Sequence, residues 1–174
     1  MEFFEVLEAR HSIRAFQPRP VEEEKLQIIL NAVNRAPSAG NLQSYEVYLS
    51  RGSAGAAALA RATFNQTFVA QAPLVLVFCS HAARSVAQYG ERGAGLYALQ
   101  DATIACTFAM LAAAAQELAS VWIGAFDPEA VRSAIGAPAG VEPAAMLPIG
   151  YPAQQPELTT RRPLNGLVHE LPAL

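Results

Sequence analysis

The sequence predicts a single α+β unit, on three observations. Apolar residues recur at helical spacing in several separate segments, a continuous apolar run of strand length stands at Pro73–Cys79, and no repeat, linker tract or compositional break divides the 174 residues. A chain of this length suits one ordinary domain.

Taken in order, Phe3, Val6 and Leu7 fall at i, i+3 and i+4 and mark a short first helix. It runs into Arg10-His11-Ser12-Ile13-Arg14, where two guanidinium groups and a hydroxyl crowd one polar turn. The guanidinium fork matches a phosphate bidentately, so the turn reads as an anion anchor, although a solvated basic turn has the same composition. Pro18 and Pro20 force an extended connector, and Glu22, Glu23 and Glu24 supply the acidic first turn of a helix whose buried face is Leu26, Ile29, Leu30 and Val33. That helix stops at Ala36-Pro37, because the residue before proline is pushed out of helical geometry.

Pro37 to Gln43 form a second polar turn, whose small residues let backbone approach a flat ligand, or serve only as a link. Tyr45–Ser50 reads as a strand, about Ala54 to Ala62 as an Ala-rich helix, and Pro73–Cys79 as a central strand covered on both faces. A long helix is expected from Gly93 to Leu118, with Leu96, Leu99, Thr103, Met110 and Leu111 facing inward; a helix so apolar all round must be covered on every side, some of it by a second subunit. Ser120–Gly124 is the next strand. Asp127-Pro128-Glu129 carries a cap, a first-position proline and an acid, and so starts a helix that Gly136 and Pro138 end. Met146–Tyr151 is a last strand, placed at an edge or bulge by Pro148. The tail from Pro152 has too little apolar surface to fold alone and must lie along its own body or a neighbour.

Composition narrows the function. Apolar residues are 52% of the chain and charged residues 16%, so some apolar surface is expected to be covered in a homo-oligomer. A net charge of −3, with 12 basic against 15 acidic residues, argues against nucleic acid as a partner. The acidic start Met1-Glu2-Phe3-Phe4-Glu5 is not that of an export signal, and the uncharged run Ala102–Ala115 is shorter than a spanning helix needs, so no membrane association and a cytoplasmic location are expected. Cys79 and Cys106 read as buried free thiols. His11, His81 and His169 are scattered, so no metal is expected, and no hydrolase elbow or dinucleotide loop is present. A chain without its own acid, base or nucleophile can still be an enzyme when a cofactor carries the reaction.

Five blocks raise that reading: Arg10-His11-Ser12-Ile13-Arg14 after a short helix, Ala36-Pro37-Ser38-Ala39-Gly40-Asn41-Leu42-Gln43, Trp122-Ile123-Gly124-Ala125-Phe126, Pro148-Ile149-Gly150-Tyr151-Pro152 and Arg161-Arg162-Pro163-Leu164. In this order they resemble the blocks of the FMN-dependent nitroreductase family. The resemblance implies an intertwined homodimer of α+β subunits, each with a central mixed or antiparallel sheet flanked by helices. FMN would lie at the interface, with NADH or NADPH as co-substrate and a small acceptor: a nitroaromatic, a quinone, free flavin or an enone. By the same resemblance Arg10, Ser12 and Arg161 hold the phosphate, His11 lies beside the ribityl chain, and Arg14 sits near the pyrimidine end. Pro37, Ser38 and Asn41 come from the opposite subunit and cover the ring, and Ile123, Gly124 and Ala125 set backbone against the reactive nitrogen. Asn65 and Gln66 match flavin-edge positions only loosely. Gly124 stands where many members carry an acid, and Ser80–Leu96 is short where larger members insert roofing helices, which implies an open site. The alternatives are a flavin- or nucleotide-binding module without turnover and a scaffold dimer without cofactor.

Overall fold

The computed structural model describes residues 1–64 and 66–171. Four strands form one sheet in the order β1-β2-β4-β3, where β1 is Tyr45–Arg51, β2 Leu74–His81, β3 Ala119–Ser120 and β4 Val141–Gly150. Every neighbouring pair is antiparallel; among the described residues the one parallel contact is a bridge between Ser12 and Ser120. Six α-helices surround the sheet: α1 (Phe3–Ala9), α2 (Glu23–Asn34), α3 (Ser53–Arg61), α4 (Ala82–Arg92), α5 (Ala98–Ala115) and α6 (Pro128–Ile135).

The apolar run around Cys79 becomes the doubly covered strand its composition requires. Leu74, Leu76 and Phe78 face α2 and α5 together with Ala145, Leu147 and Ile149 of β4. Val75, Val77 and Cys79 face the opposite layer, where α3 and α6 supply Leu59 and Val131. The local signals also act as expected at α6. Asp127 Oδ1 accepts from the Glu129 and Ala130 amides at 3.0 and 3.2 Å, and Gly136 closes the helix at φ +65°.

Several elements differ from the sequence expectation. The long helix begins at Ala98 rather than Gly93, after a π-helical turn over Gly93–Tyr97, and the short Ser80–Leu96 segment, to which the sequence assigned no element, carries α4. A kink at Gly90 (φ +57°) breaks α4 near its end. The buried face of α5 is not Leu96, Leu99, Thr103, Met110 and Leu111 but Ala98, Asp101, Ala102, Ala105, Cys106, Ala109 and Ala113; Leu99 is 43% exposed. Small side chains let the helix axis sit close to the sheet and to α2, while Ile104, Phe108 and Met110 pack half-buried at the margin of that face. The strand expected at Ser120–Gly124 is only Ala119–Ser120, followed by an isolated bridge between Ile123 and Met146. β4 starts at Val141 and is interior, not an edge. Pro148 is tolerated because it lies between the Ser120–Ile149 pair and the Ile123–Met146 bridge, where the ladder to β3 lapses. The bulge sits elsewhere in β4, where the register shifts beside Pro143.

Beyond Ala153, whose amide donates to Ala15 at 2.9 Å, the tail is exposed as far as Leu171. Leu158, Leu164, Leu167, Val168 and Leu171 thus lie uncovered, as do Phe3, Phe4 and Leu7 of α1. Of the two fates open to the tail, packing along its own body is not the one it takes.

Two local results are expected from the fold. Burial pushes the Cys79 thiol up to about 12 and raises that of Cys106 as well, so neither is expected to react with a thiol reagent at pH 8 until the protein unfolds; prompt labelling of the native protein contradicts this. Glu22 is held down to about 2, chiefly by the hydrogen bond from the Tyr151 hydroxyl at 2.7 Å, and Glu23 to about 2, chiefly by Arg51. A carboxylate lowered on folding stabilises fully above its unfolded value, about 4.3, and loses that contribution as the pH falls toward 2. Thermal melts between pH 5 and 2 should therefore show a shallower acid loss in Tyr151→Phe and Arg51→Ala than in the parent.

Candidate functional site

The anchor turn is shaped by what flanks it. Arg10 ends α1, its amide donating to the Val6 carbonyl at 3.0 Å, and the chain then runs beside β3, with the Ile13 amide on the Ser120 carbonyl at 3.1 Å. Ile13 and Phe16 are buried, which turns Ser12 and Arg14 out to solvent. Arg10 and His11 are half-buried at the mouth of a cavity of about 550 Å³, which Ile13, Ser120, Glu117 and Gln154 also line. Among the described residues neither Arg10 nor Arg14 has a carboxylate partner, and Glu117 forms no ion pair with Arg10. By contrast Arg19, Arg51, Arg84 and Arg132 are each paired. At one bend the uncompensated Arg10 guanidinium and the Ser12 hydroxyl fit a phosphate, and Arg14 adds a second cation without a carboxylate among the described residues.

The second polar turn is a short 3-10 turn, Ala39–Asn41, with Gly40, Asn41 and Gln43 at φ +56°, +56° and +47°. Gly40 takes this conformation freely, but left-handed Asn41 and Gln43 so close together are strained unless their surroundings fix them. Ser38 Oγ accepts from the Gln43 amide at 3.0 Å, and Gln43 Nε2 donates to the Asn34 carbonyl at 3.2 Å. Asp101 of α5 reaches up from below, its two carboxylate oxygens accepting the amides of Ala39 at 3.0 Å and Ser44 at 3.1 Å. Tyr89 of α4 stands above; a methyl group at Gly40 would come within 2.5 Å of its hydroxyl. Pro37 and Asn41 are exposed and Ser38 half-exposed.

At the third block, Ile123 exchanges both backbone hydrogen bonds with Met146, at 2.9 and 3.0 Å, and Phe126 is buried. Gly124 and Ala125 between them are exposed, and among the described residues their amides meet no acceptor. Gln66 Nε2 fixes the turn by donating to the Ala125 carbonyl at 2.8 Å. Asn65 lies outside the described residues. Arg161 sits on the exposed tail, where it donates to Thr159 Oγ1 at 2.6 Å and, among the described residues, hydrogen-bonds to none of the other site residues.

The sheet register determines which of these can meet within one chain. Arg51, Leu74, Ile149 and Ser120 stand in one row across the strands, so the anchor turn, bridged to Ser120, lies at that end. Tyr45, Ser80 and Glu142 form the row at the other end, and the second polar turn leads directly into Tyr45. From Leu74 to Ser80 a strand advances about 20 Å. Ile123, opposite Met146 and Val77, falls between. One chain thus gathers Arg10, His11, Ser12 and Arg14 with Ile123–Ala125 along a single edge, and holds Pro37, Ser38 and Asn41 at the opposite end of the sheet.

Sequence reasoning missed Asp101 and left Gln66 aside. Asp101 does have a signal: it is a lone carboxylate at the head of an uncharged helical run. Nothing local to Gln66 shows that it crosses to Ala125.

The nitroreductase family model matches residues 7–67 and 50–151. The chain is 32% identical to a protein of Thermus thermophilus named NADH dehydrogenase, covering 91% of each. It is 28% identical to a Bacillus subtilis protein named FMN reductase [NAD(P)H], covering 97% of this chain and 73% of that one. A solved nitroreductase family protein of Clostridium difficile superposes with a TM-score of 0.86 at 31% identity, covering 97% of this chain and 98% of the other.

Proposed function

The chain belongs to the nitroreductase family and is an NAD(P)H-dependent flavin oxidoreductase, and from that premise we propose that two copies hold FMN at the seam between them. Arg10, Ser12 and Arg161 bind its phosphate, His11 lies along the ribityl chain, and Arg14 presents a cation to the pyrimidine edge. The observation that carries this reading is the sheet register: the anchor turn and the Ser38–Asn41 turn occupy opposite ends of one chain, so a second copy is what brings them to one ligand. The uncovered leucines of the tail and the phenylalanines of α1 supply apolar surface for that seam. The whole chain acts as one FMN-binding domain whose tail from about Pro152 packs on the partner subunit, in a soluble, cytoplasmic homodimer.

Bound FMN would supply the redox chemistry, hydride transfer between NADH or NADPH and a small acceptor such as a nitroaromatic, a quinone, another flavin or an enone. The protein's part is position and charge. The Arg10 fork fixes the phosphate end, and the exposed amides of Gly124 and Ala125 offer donors to the ring edge without a side chain in the way. Arg14, with no carboxylate to neutralise it, favours negative charge on the ring. Small residues on the Ser38–Asn41 turn leave one ring face free for nicotinamide to stack.

The test is anaerobic absorption spectroscopy of the FMN-loaded protein. NADH or NADPH should bleach the visible flavin band within the mixing time of a turnover assay, and a small acceptor should restore it. A flavin that stays oxidised with both nucleotides overturns the reading.

A further inference from the structure

We propose that Asp101 is the positioning residue of the flavin-covering turn, an inference that rests on FMN lying against Ser38 and Asn41. Asp101 is 2% exposed. Among the described residues no lysine, arginine or histidine pairs with it, and its two oxygens are used on the Ala39 and Ser44 amides. Burying a carboxylate without a cation is costly, and here the cost is met by donors from a single turn. Both of its hydrogen bonds therefore bracket the segment that carries Gly40, Asn41 and Gln43 in left-handed conformations.

The geometry explains what this achieves. α5 is the most deeply packed helix of the molecule, pressed on α2, β2 and β4, so a carboxylate on it is a fixed point. A turn with two left-handed non-glycine residues, Asn41 and Gln43, would otherwise relax, and Ser38 would relax with it. Tethered at both ends, the turn holds Ser38 and Asn41 to the sub-ångström tolerance that ligand positioning needs. Asp101 touches neither FMN nor nucleotide; it acts through the backbone between Ala39 and Ser44.

Asp101→Asn keeps the volume but puts an NH₂ group against one of the two amides. The expected result is at least a tenfold rise in the FMN dissociation constant, a changed visible circular dichroism of the bound flavin, and faster hydrogen exchange at Ala39 and Ser44, while exchange in β4 is unchanged. A lower melting temperature with FMN affinity and flavin dichroism as in the parent would mean a purely structural residue and overturn the proposal. Should Asp101→Asn fail to fold, the parent protein gives the answer: saturating FMN should slow exchange of the Ala39 and Ser44 amides at least tenfold more than that of β4 amides. FMN that binds without this effect overturns the role of Asp101. A parent protein that takes up no FMN overturns the seam reading as well, and is recognised by the lack of any flavin quenching.

Discussion

Arg10→Ala is expected to weaken FMN binding ten- to a hundredfold, and Arg161→Ala to do the same. A hydrogen bond to a charged group contributes about 1.5–3 kcal/mol, which converts to roughly that range in affinity. Arg10 can deliver it because the end of α1 fixes its backbone and no carboxylate in the described chain competes for its guanidinium. Arg161 is tied only to its own tail, so its contribution depends on the tail being docked on the body of a dimer. Arg10→Lys should fall between parent and alanine, since it keeps the charge and loses the fork. Flavin fluorescence quenching measures all three; unchanged affinity in both alanine variants removes the phosphate assignment.

Ala105→Leu is expected to destabilise the protein by about 3 kcal/mol, at the upper end of what overpacking costs. Ala105 is fully buried in the core layer that α5 shares with Leu26 and Ile29 of α2 and Leu76 and Leu147 of the sheet, so three more carbons must displace close-packed neighbours. Leu99→Ala, nearly two turns earlier and about 120° away round the helix, should cost under about 0.5 kcal/mol in the isolated chain, because Leu99 is 43% exposed there. Its larger effect is expected on dimer dissociation. Urea melts at fixed protein concentration, paired with sedimentation, separate the two. Equal losses in both variants would mean that α5 is rotated from the orientation described above.

The same helix shows what the sequence can and cannot reveal. Elements governed by local chemistry were legible: the proline-limited end of α2, the Asp127 cap of α6 and its Gly136 stop, and the continuous apolar run of β2. The rotation of α5 was not, because a helix apolar on every side has no periodicity to read, and close packing chose alanines over leucines for the inner face. α4 escaped notice because only Ser85 of it is buried, so it has no apolar stripe of core residues. For the site, each polar block could be found by composition. The bonds that fix them, Asp101 to Ala39 and Ser44 and Gln66 to Ala125, join residues 57 to 62 positions apart and so carry no local trace.

Titration of FMN while the mass is followed by sedimentation tests the seam most directly. The predicted result is two FMN per pair of chains, with affinity lost as dilution separates the pair. FMN held equally well by the single chain, or a stable pair that takes up none, would contradict it.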